Sequence, residues 1–239
     1  MGILERRERE KRLRREMILE ASKKVFFERG LRAATLEDIA ERAELSKGTI
    51  YLYFSSKEDL YASLMTRALE LLLEMFKSSR PEELRPAAAI RRLAEAYLLF
   101  SRNESYLFKI LGVVESPLVG ANLSPKIFSE LEGASDDILS YVATFVDKGK
   151  KEGSFRADVS SHEAVLLFWL SLSGVLNLKA RSADLREGSI LSADSVVGSV
   201  DFDRLFGNCL DYLIGFLSAG MRRVDGRRRA KSVSHSKPA

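Results

Sequence analysis

The sequence predicts an all-α protein, and three observations carry that prediction. Only 5 of the 239 residues are proline. No runs of Val, Ile and Thr alternate at period two between turn signals. Apolar residues recur instead at three- and four-residue spacing, and Ser or Thr followed by acidic residues precedes several of these stretches. The hydrophobic share of 46% is enough for a real core. The expected architecture is an N-terminal three-helix domain joined to a larger C-terminal helical domain.

Residues 1–16 are rich in Arg, Lys and Glu and read as a charged N-terminal extension. It is either a solvated helix or a basic arm near a phosphate backbone. From Met17 the pattern turns amphipathic, with Ile18, Ala21, Val25 and Phe26 close to one face. Gly30 then stops the helix. Thr35 is a good N-cap, with Glu37 and Asp38 in the first turn where the helix dipole favours negative charge. Leu36, Ile39, Ala40 and Ala43 form one buried face. Ser46 caps a third helix whose Ile50 and Phe54 point inward. Ser55–Glu58 reads as a capping box for a fourth helix running toward Phe76. Further helices are expected at 86–101, 104–115, 125–151, 161–179 and 202–219. Ser160–Glu163 supplies another capping box. Pro117–Asn122 and residues 181–200 are expected to be connections. The last stretch lacks apolar periodicity and reads as a disordered basic tail.

Charge alone decides little. The formal net charge is +4. Residues 1–60 contribute +2 and residues 218–239 contribute +6, so the middle of the chain is net −4. A basic total that sits mostly in a tail does not identify a nucleic-acid binder. The single cysteine, Cys209, excludes an intrachain disulfide and fits a reducing, cytoplasmic setting. The N-terminus carries charge where a signal peptide would be apolar. The longest apolar stretch, Ala164–Leu178, reads as a core helix too short to span a bilayer, so no membrane partner is expected.

The informative stretch is Thr35–Leu60, TLEDIAERAELSKGTIYLYFSSKEDL. Two short helices lie about three residues apart, the helix-turn-helix layout in which the second helix enters the major groove of DNA. With Ile50 and Phe54 inward, Gly48, Thr49, Tyr51 and Leu52 fall on the opposite side, and Lys47 lies in the first turn. Gly48 lowers helix propensity by about 1 kcal/mol relative to Ala, which makes sense where a helix approaches another surface closely. Tyr51 and Tyr53 can donate to phosphates or pack on a thymine methyl. Lys57 can meet the backbone as a point charge.

The string T-x-x-D-I-A-x-x-A-x-x-S-x-G-T-I-Y-x-Y-F-x-S-K-x-x-L resembles the N-terminal signature of TetR-type regulators. The resemblance covers about residues 14–65. It implies DNA contacts at Thr35, Ser46, Lys47, Gly48, Thr49, Tyr51, Tyr53 and Lys57. Glu44 departs from the glycine usual there, at a cost of roughly 1 kcal/mol or more if the turn is left-handed. The implied organisation is an extension at 1–16, a helix-turn-helix domain at 17–60, an effector-binding and dimerisation domain at 61–220, and a tail at 221–239.

In the second half, Gly153, Phe155, Arg156, Asp158 and Val159 also resemble the family, just before the penultimate long helix. The helix around Phe168 and Trp169 is apolar nearly all round, and a stripe of Leu205, Phe206, Cys209, Leu213 and Phe216 marks the last one. By resemblance these helices pair with their copies in a homodimer, with Phe168, Ser171, Leu172 and Val175 contributing. A twofold dimer requires a palindromic operator, its half-sites about 34 Å apart or a little more. Candidate effector contacts are Phe100, Tyr106, Phe108, Phe128, Tyr141, Phe145 and Trp169. The scarcity of charge around them favours a hydrophobic small molecule whose identity is unknown. Cys209 reads as a buried structural thiol, with a redox sensor as the alternative.

The expectation is a repressor that binds double-stranded operator DNA and is released by effector. The alternative is the same fold acting through protein partners or architecturally, without a small-molecule switch. An enzyme is not expected. The chain has two histidines, His162 and His235, with no HExxH, CxxC or Gly-rich phosphate loop. No cofactor or metal site is expected.

Overall fold

The computed structural model describes residues 2–112, 123–183 and 199–218. All regular structure among them is helical, so the protein is all-α as expected. The helices are α1 (Ile3–Ala33), α2 (Leu36–Arg42), α3 (Lys47–Tyr51), α4 (Lys57–Ser78), α5 (Pro86–Asn103), α6 (Ser105–Leu111), α7 (Pro125–Lys151), α8 (Ser161–Ala183) and α9 (Phe202–Ser218), with a 3₁₀ turn at Pro81–Glu83. The expected loop at Pro117–Asn122, most of the 181–200 connection and the tail lie outside the described residues.

Two compact units form. The first gathers residues up to Leu71 with Glu104–Asp136; the second gathers Leu72–Asn103 with the described residues from Asp137 onward. The first unit thus takes in α6 and the start of α7 besides the 17–60 stretch.

Within the first unit, α1 is solvated through Arg14 and buries a face from Ile18 on, with Leu19, Val25 and Phe26. Gly30 has φ 72 and ψ 167, a conformation essentially confined to glycine, and one more helical turn follows it. The sequence reading has the helix ending at Gly30 in a left-handed cap. The extended ψ kinks the chain instead, and the Ala34 N–H donates to the Gly30 carbonyl. Phe26 meets Tyr61 edge-on, their ring centroids 5.3 Å apart, which joins α1 to α4.

The start of α4 differs from the expected Ser55–Glu58 box by one residue. Ser56 Oγ accepts from the Asp59 N–H (3.0 Å), and the Asp59 carboxylate accepts from the Ser55 N–H (3.3 Å). The other Asp59 oxygen accepts from the Ser124 N–H at 2.8 Å, just ahead of α7. Asp59 is buried, and Glu58 is not, so the carboxylate closest to the core takes the backbone donors.

Within the second unit, α8 packs on α9 and α5 packs on both. Tyr97 Oη and Ser173 Oγ share a hydrogen bond of 2.7 Å. Asp203 accepts from Arg102 (2.8 Å) and Lys179 (2.7 Å), and these partners, Lys179 first, hold its carboxyl below the usual range. Between α7 and α8, the Arg156 N–H caps the Leu217 carbonyl (2.8 Å) while its guanidinium pairs with Asp158 and lies over the Phe216 ring. The Phe155–Asp158 stretch therefore docks the end of α9. At the start of α8 only half of the expected box forms, the Glu163 N–H reaching Ser160 Oγ at 3.4 Å.

Candidate nucleic-acid interface

The helix-turn-helix is built from its caps and its underside. Thr35 Oγ1 accepts from the Asp38 N–H (3.2 Å), and the Asp38 carboxylate accepts from the Thr35 N–H (3.0 Å). That reciprocal pair starts α2 and, ahead of the contribution of Arg29, holds the Asp38 carboxyl below its usual range. Ala43 and Glu44 turn the chain. Glu44 has φ 54, so the left-handed geometry is kept without glycine. The price is about 1–2 kcal/mol. Ser46 Oγ then accepts from the Thr49 N–H (3.1 Å) and opens α3.

Beneath α3, Ile50 is fully buried and Phe54 is 2% exposed. Above it, Tyr51 is 51% and Leu52 79% exposed, and Ser46, Lys47 and Gly48 are exposed with them. Thr49 is half-buried and shares a hydroxyl–hydroxyl bond with Ser46 (2.9 Å). A Cβ on Gly48 would meet only Ser46 Oγ, at an ordinary 3.7 Å. The chain's own packing does not require glycine there, and a bare backbone on the outer face suits close approach by a second surface. Five residues of helix and the Leu52 that caps them thus present hydroxyls, an aromatic ring, a methyl-rich side chain and a cation on one side, over a buried anchor.

Two candidate contacts are already engaged. The Lys47 ammonium pairs with Glu37 of α2 and lies 5.8 Å from the Tyr51 ring centroid. The Glu37 hydrogen bond raises the Lys47 pKa and lowers that of Glu37. Lys57 donates to the carbonyls of Arg32 (3.0 Å) and Ala34 (2.9 Å), so it stitches the end of α1 to the start of α4 and has one donor left over. Tyr53, between α3 and α4, is half-buried. The Glu37–Lys47 pair and the Lys57 contacts with these carbonyls leave no trace in the sequence pattern, because contacts between helices leave no periodic signal. Leu52 was legible on the outer face but not carried by the resemblance.

The effector candidates do not fall together in one unit. Tyr106, Phe108 and Phe128 belong to the first, and Phe100, Tyr141, Phe145 and Trp169 to the second. Phe100, Phe108 and Phe145 are buried, whereas Phe128 is half exposed. Tyr141 donates to the Glu82 carboxylate and meets Phe145 edge-on at 5.3 Å. Tyr106 packs edge-on against Phe27, and its hydroxyl is buried without a hydrogen-bond partner among the described residues. Among the described residues no cluster of His, Cys, Asp and Glu could hold a metal.

The expected interface residues of α8 and α9 differ in exposure. Phe168, Leu172 and Phe206 are buried in their own chain, each under 9% exposed. Ser171, Val175, Cys209 and Leu213 are half-buried, and Leu205 and Phe216 are exposed. Leu166, Leu167, Leu170 and Tyr212, which the sequence reading did not single out, are exposed on the same two helices. A helix apolar all round shows no preferred face until its neighbours are known. Burial pushes the Cys209 thiol up, away from the reactive thiolate. The helix Ser161–Ala180 is also long and apolar enough to cross a membrane by length and composition, contrary to the shorter stretch read from sequence. It packs here on α9 and α5, and apolar bundle helices pass the same test.

Residues 18–64 match the family model described as bacterial regulatory proteins, tetR family. The HTH-type transcriptional regulator YhgD of Bacillus subtilis is 29% identical over 147 residues, 60% of this chain and 72% of that protein. The HTH-type transcriptional repressor BepR of Brucella suis is 27% identical over 169 residues, 68% of this chain and 78% of its own length. Among solved structures, FadR from Bacillus subtilis in complex with stearoyl-CoA superposes with a TM-score of 0.64 at 17% identity, over 84% of this chain and 98% of that one.

Proposed function

We propose that this chain, which belongs to the TetR family and is a DNA-binding transcriptional regulator, acts as a homodimeric repressor released from a palindromic operator by a small hydrophobic effector. One observation carries this reading: the outer face of α3, with Thr49, Tyr51 and Leu52 unburied above Ile50 and Phe54. Thr35, Ser46, Lys47, Gly48, Tyr53 and Lys57 surround that face and are the further DNA contacts, Lys47 by exchanging Glu37 for phosphate. The sign of regulation is supported by the relative named a repressor.

Dimerisation is supported by the exposed apolar side chains of α8 and α9, Leu166, Leu167, Leu170, Leu205, Tyr212 and Phe216. A second copy is the occupant that covers like with like around a twofold axis. The effector reading draws on Phe100, Tyr141, Phe145 and Trp169, and on the fold neighbour solved with stearoyl-CoA. The protein works in the cytoplasm without a cofactor, its DNA-binding part at 17–60 and its effector and dimer part at 61–220. Effector and operator oppose each other by roughly 1–3 kcal/mol, a 5- to 150-fold change in affinity.

The test is a binding selection on fragmented DNA from the source organism at two salt concentrations, followed by a reporter assay on the promoters recovered. A shared palindrome that survives the higher salt, beside promoters that rise when the protein is deleted, is the expected result. Promoters that fall on deletion would reverse the sign of regulation. Binding without sequence preference would remove the operator.

A further inference from the structure

We propose that the solvated start of α1 is a second DNA-contact surface, in which Arg7, Lys11 and Arg14 lie along the sugar–phosphate backbone flanking the groove that α3 enters. This rests on the operator-binding reading above.

Residues 3–16 contain seven Arg and Lys against four Glu. They are helical, continuous with α1, and exposed from Leu4 through Arg14. At about 100° per residue the charges separate by face. Arg14, Arg7, Lys11 and Arg15 fall within one sector roughly 100° wide that contains no carboxylate. The remaining basic residues, Arg6, Arg9 and Arg12, share the other faces with Glu5, Glu8, Glu10 and Glu16.

Those other faces are self-neutralising. Arg6 donates to Glu10 at 3.1 Å, and Glu5–Arg9 and Glu8–Arg12 stand at the favourable i, i+4 spacing. The stripe differs. Arg7–Lys11 and Lys11–Arg15 are like-charge i, i+4 pairs, which work against a helix, and Glu10, at i, i+4 spacing from Arg14, is engaged by Arg6. Among the described residues, Arg7, Lys11 and Arg14 have neither an ion-pair partner nor a hydrogen bond. A helix that neutralises itself on every face but one leaves that face for an outside anion.

Arg15 supplies the direction. It is the last member of the stripe, and its guanidinium lies 5.1 Å from the centroid of Phe54, the buried ring just past α3. It also donates to Ser63 of α4 (3.3 Å) and pairs with Glu130 of α7 (3.7 Å). The stripe is therefore phased with a residue held against the C-terminal end of the recognition helix, and it runs outward from there for about 12 Å, at 1.5 Å per residue from Arg15 to Arg7. A polyanion following the outer face of α3 and passing that end has a row of unneutralised cations beside it, and DNA backbone is such a polyanion.

The experiment compares three full-length proteins on the shortest duplex recovered by genomic selection, extended by flanking sequence, with affinity read across a salt series. R7Q/K11Q/R14Q should bind at least tenfold more weakly at physiological salt. Its slope of log affinity against log salt should be shallower by about 2–3 per protomer. R6Q/R9Q/R12Q removes the same formal charge from the other faces and should change affinity less than threefold. Both variants alter exposed residues, and an unchanged circular dichroism melt checks that they fold. An unaltered slope in the stripe variant, or equal losses in both variants, would overturn the proposal. If the unaltered protein shows no preference for any selected duplex, the operator reading itself fails. The same slope comparison on a random-sequence 30-bp duplex at low salt then tests the stripe separately.

Discussion

α3 and α8 both turn side chains away from their own chain, and they turn out opposite kinds. α3 is five residues long and shows hydroxyls, Tyr51, Leu52 and Lys47 over a single buried isoleucine. α8 is 23 residues long and shows Leu166, Leu167 and Leu170 while burying Val165, Phe168 and Leu172. A short helix with one anchor cannot hold itself up, since isolated helices below about 12 residues are marginal in water. It depends on caps and on the packing beneath it. A long apolar helix is held by burial, and its problem is the surface left over. The contrast separates a face arranged for a polar, charged partner from one arranged for an apolar partner.

Removing the anchor should have the largest effect. Phe54→Ala takes away the ring that closes the underside of α3 and carries Arg15, and should destabilise the first unit by about 3–5 kcal/mol. The melting curve should fall by many degrees and DNA binding should disappear with it. Leu170→Glu attacks the other face. Leu170 is 58% exposed, so the protomer should keep its helix content. The sedimentation mass should drop to that of one chain, and operator affinity should fall because each head then binds alone. A Leu170→Glu protein that stays dimeric would mean that the apolar face of α8 is not the one the second copy covers.

Two tyrosines sharpen the comparison at lower amplitude. Tyr97 Oη is bonded to Ser173, whereas Tyr106 Oη is buried with no partner among the described residues. Burial pushes the Tyr106 hydroxyl pKa well above its ordinary value. Tyr97→Phe should cost about 1 kcal/mol. Tyr106→Phe removes an orphaned donor and should be neutral or stabilising by up to about 1–3 kcal/mol. Thermal melts of the two variants should move in opposite directions. Smallest is Glu44→Gly, which relieves the left-handed turn and should raise stability by roughly 1 kcal/mol without altering DNA affinity, read by urea denaturation.

Most of the fold was legible, and for definite reasons. Caps at Thr35 and Ser46 and the buried set Leu36, Ile39, Ala40, Ile50 and Phe54 are local signals, so the starts of α2 and α3 stand where the sequence puts them, while α3 ends at Tyr51, short of Phe54. The long helices after Pro86 were visible from apolar spacing alone. The failures share a cause. Asp59, not Glu58, is the capping carboxylate, and it also accepts from the Ser124 N–H, far along the chain. Lys57 turned inward onto carbonyls of α1. Each is decided by which helix lies alongside, and a single helix's pattern carries no record of that. The same limit applies to the aromatic candidates. Their spacing marks core positions, and division between two units was not visible in it.

The central claim is that the outer face of α3 reads DNA. The most direct measurement is fluorescence anisotropy of a labelled operator duplex with the unaltered protein and with Thr49→Ala/Tyr51→Ala, alongside melting and sedimentation of both. Neither side chain is part of the buried anchor, so melt and mass should stay the same. Specific affinity should fall at least tenfold, about 1.4 kcal/mol or more, while weak binding to random duplex persists. Equal affinity of the two proteins for the operator would contradict the account and move the DNA-reading surface off α3.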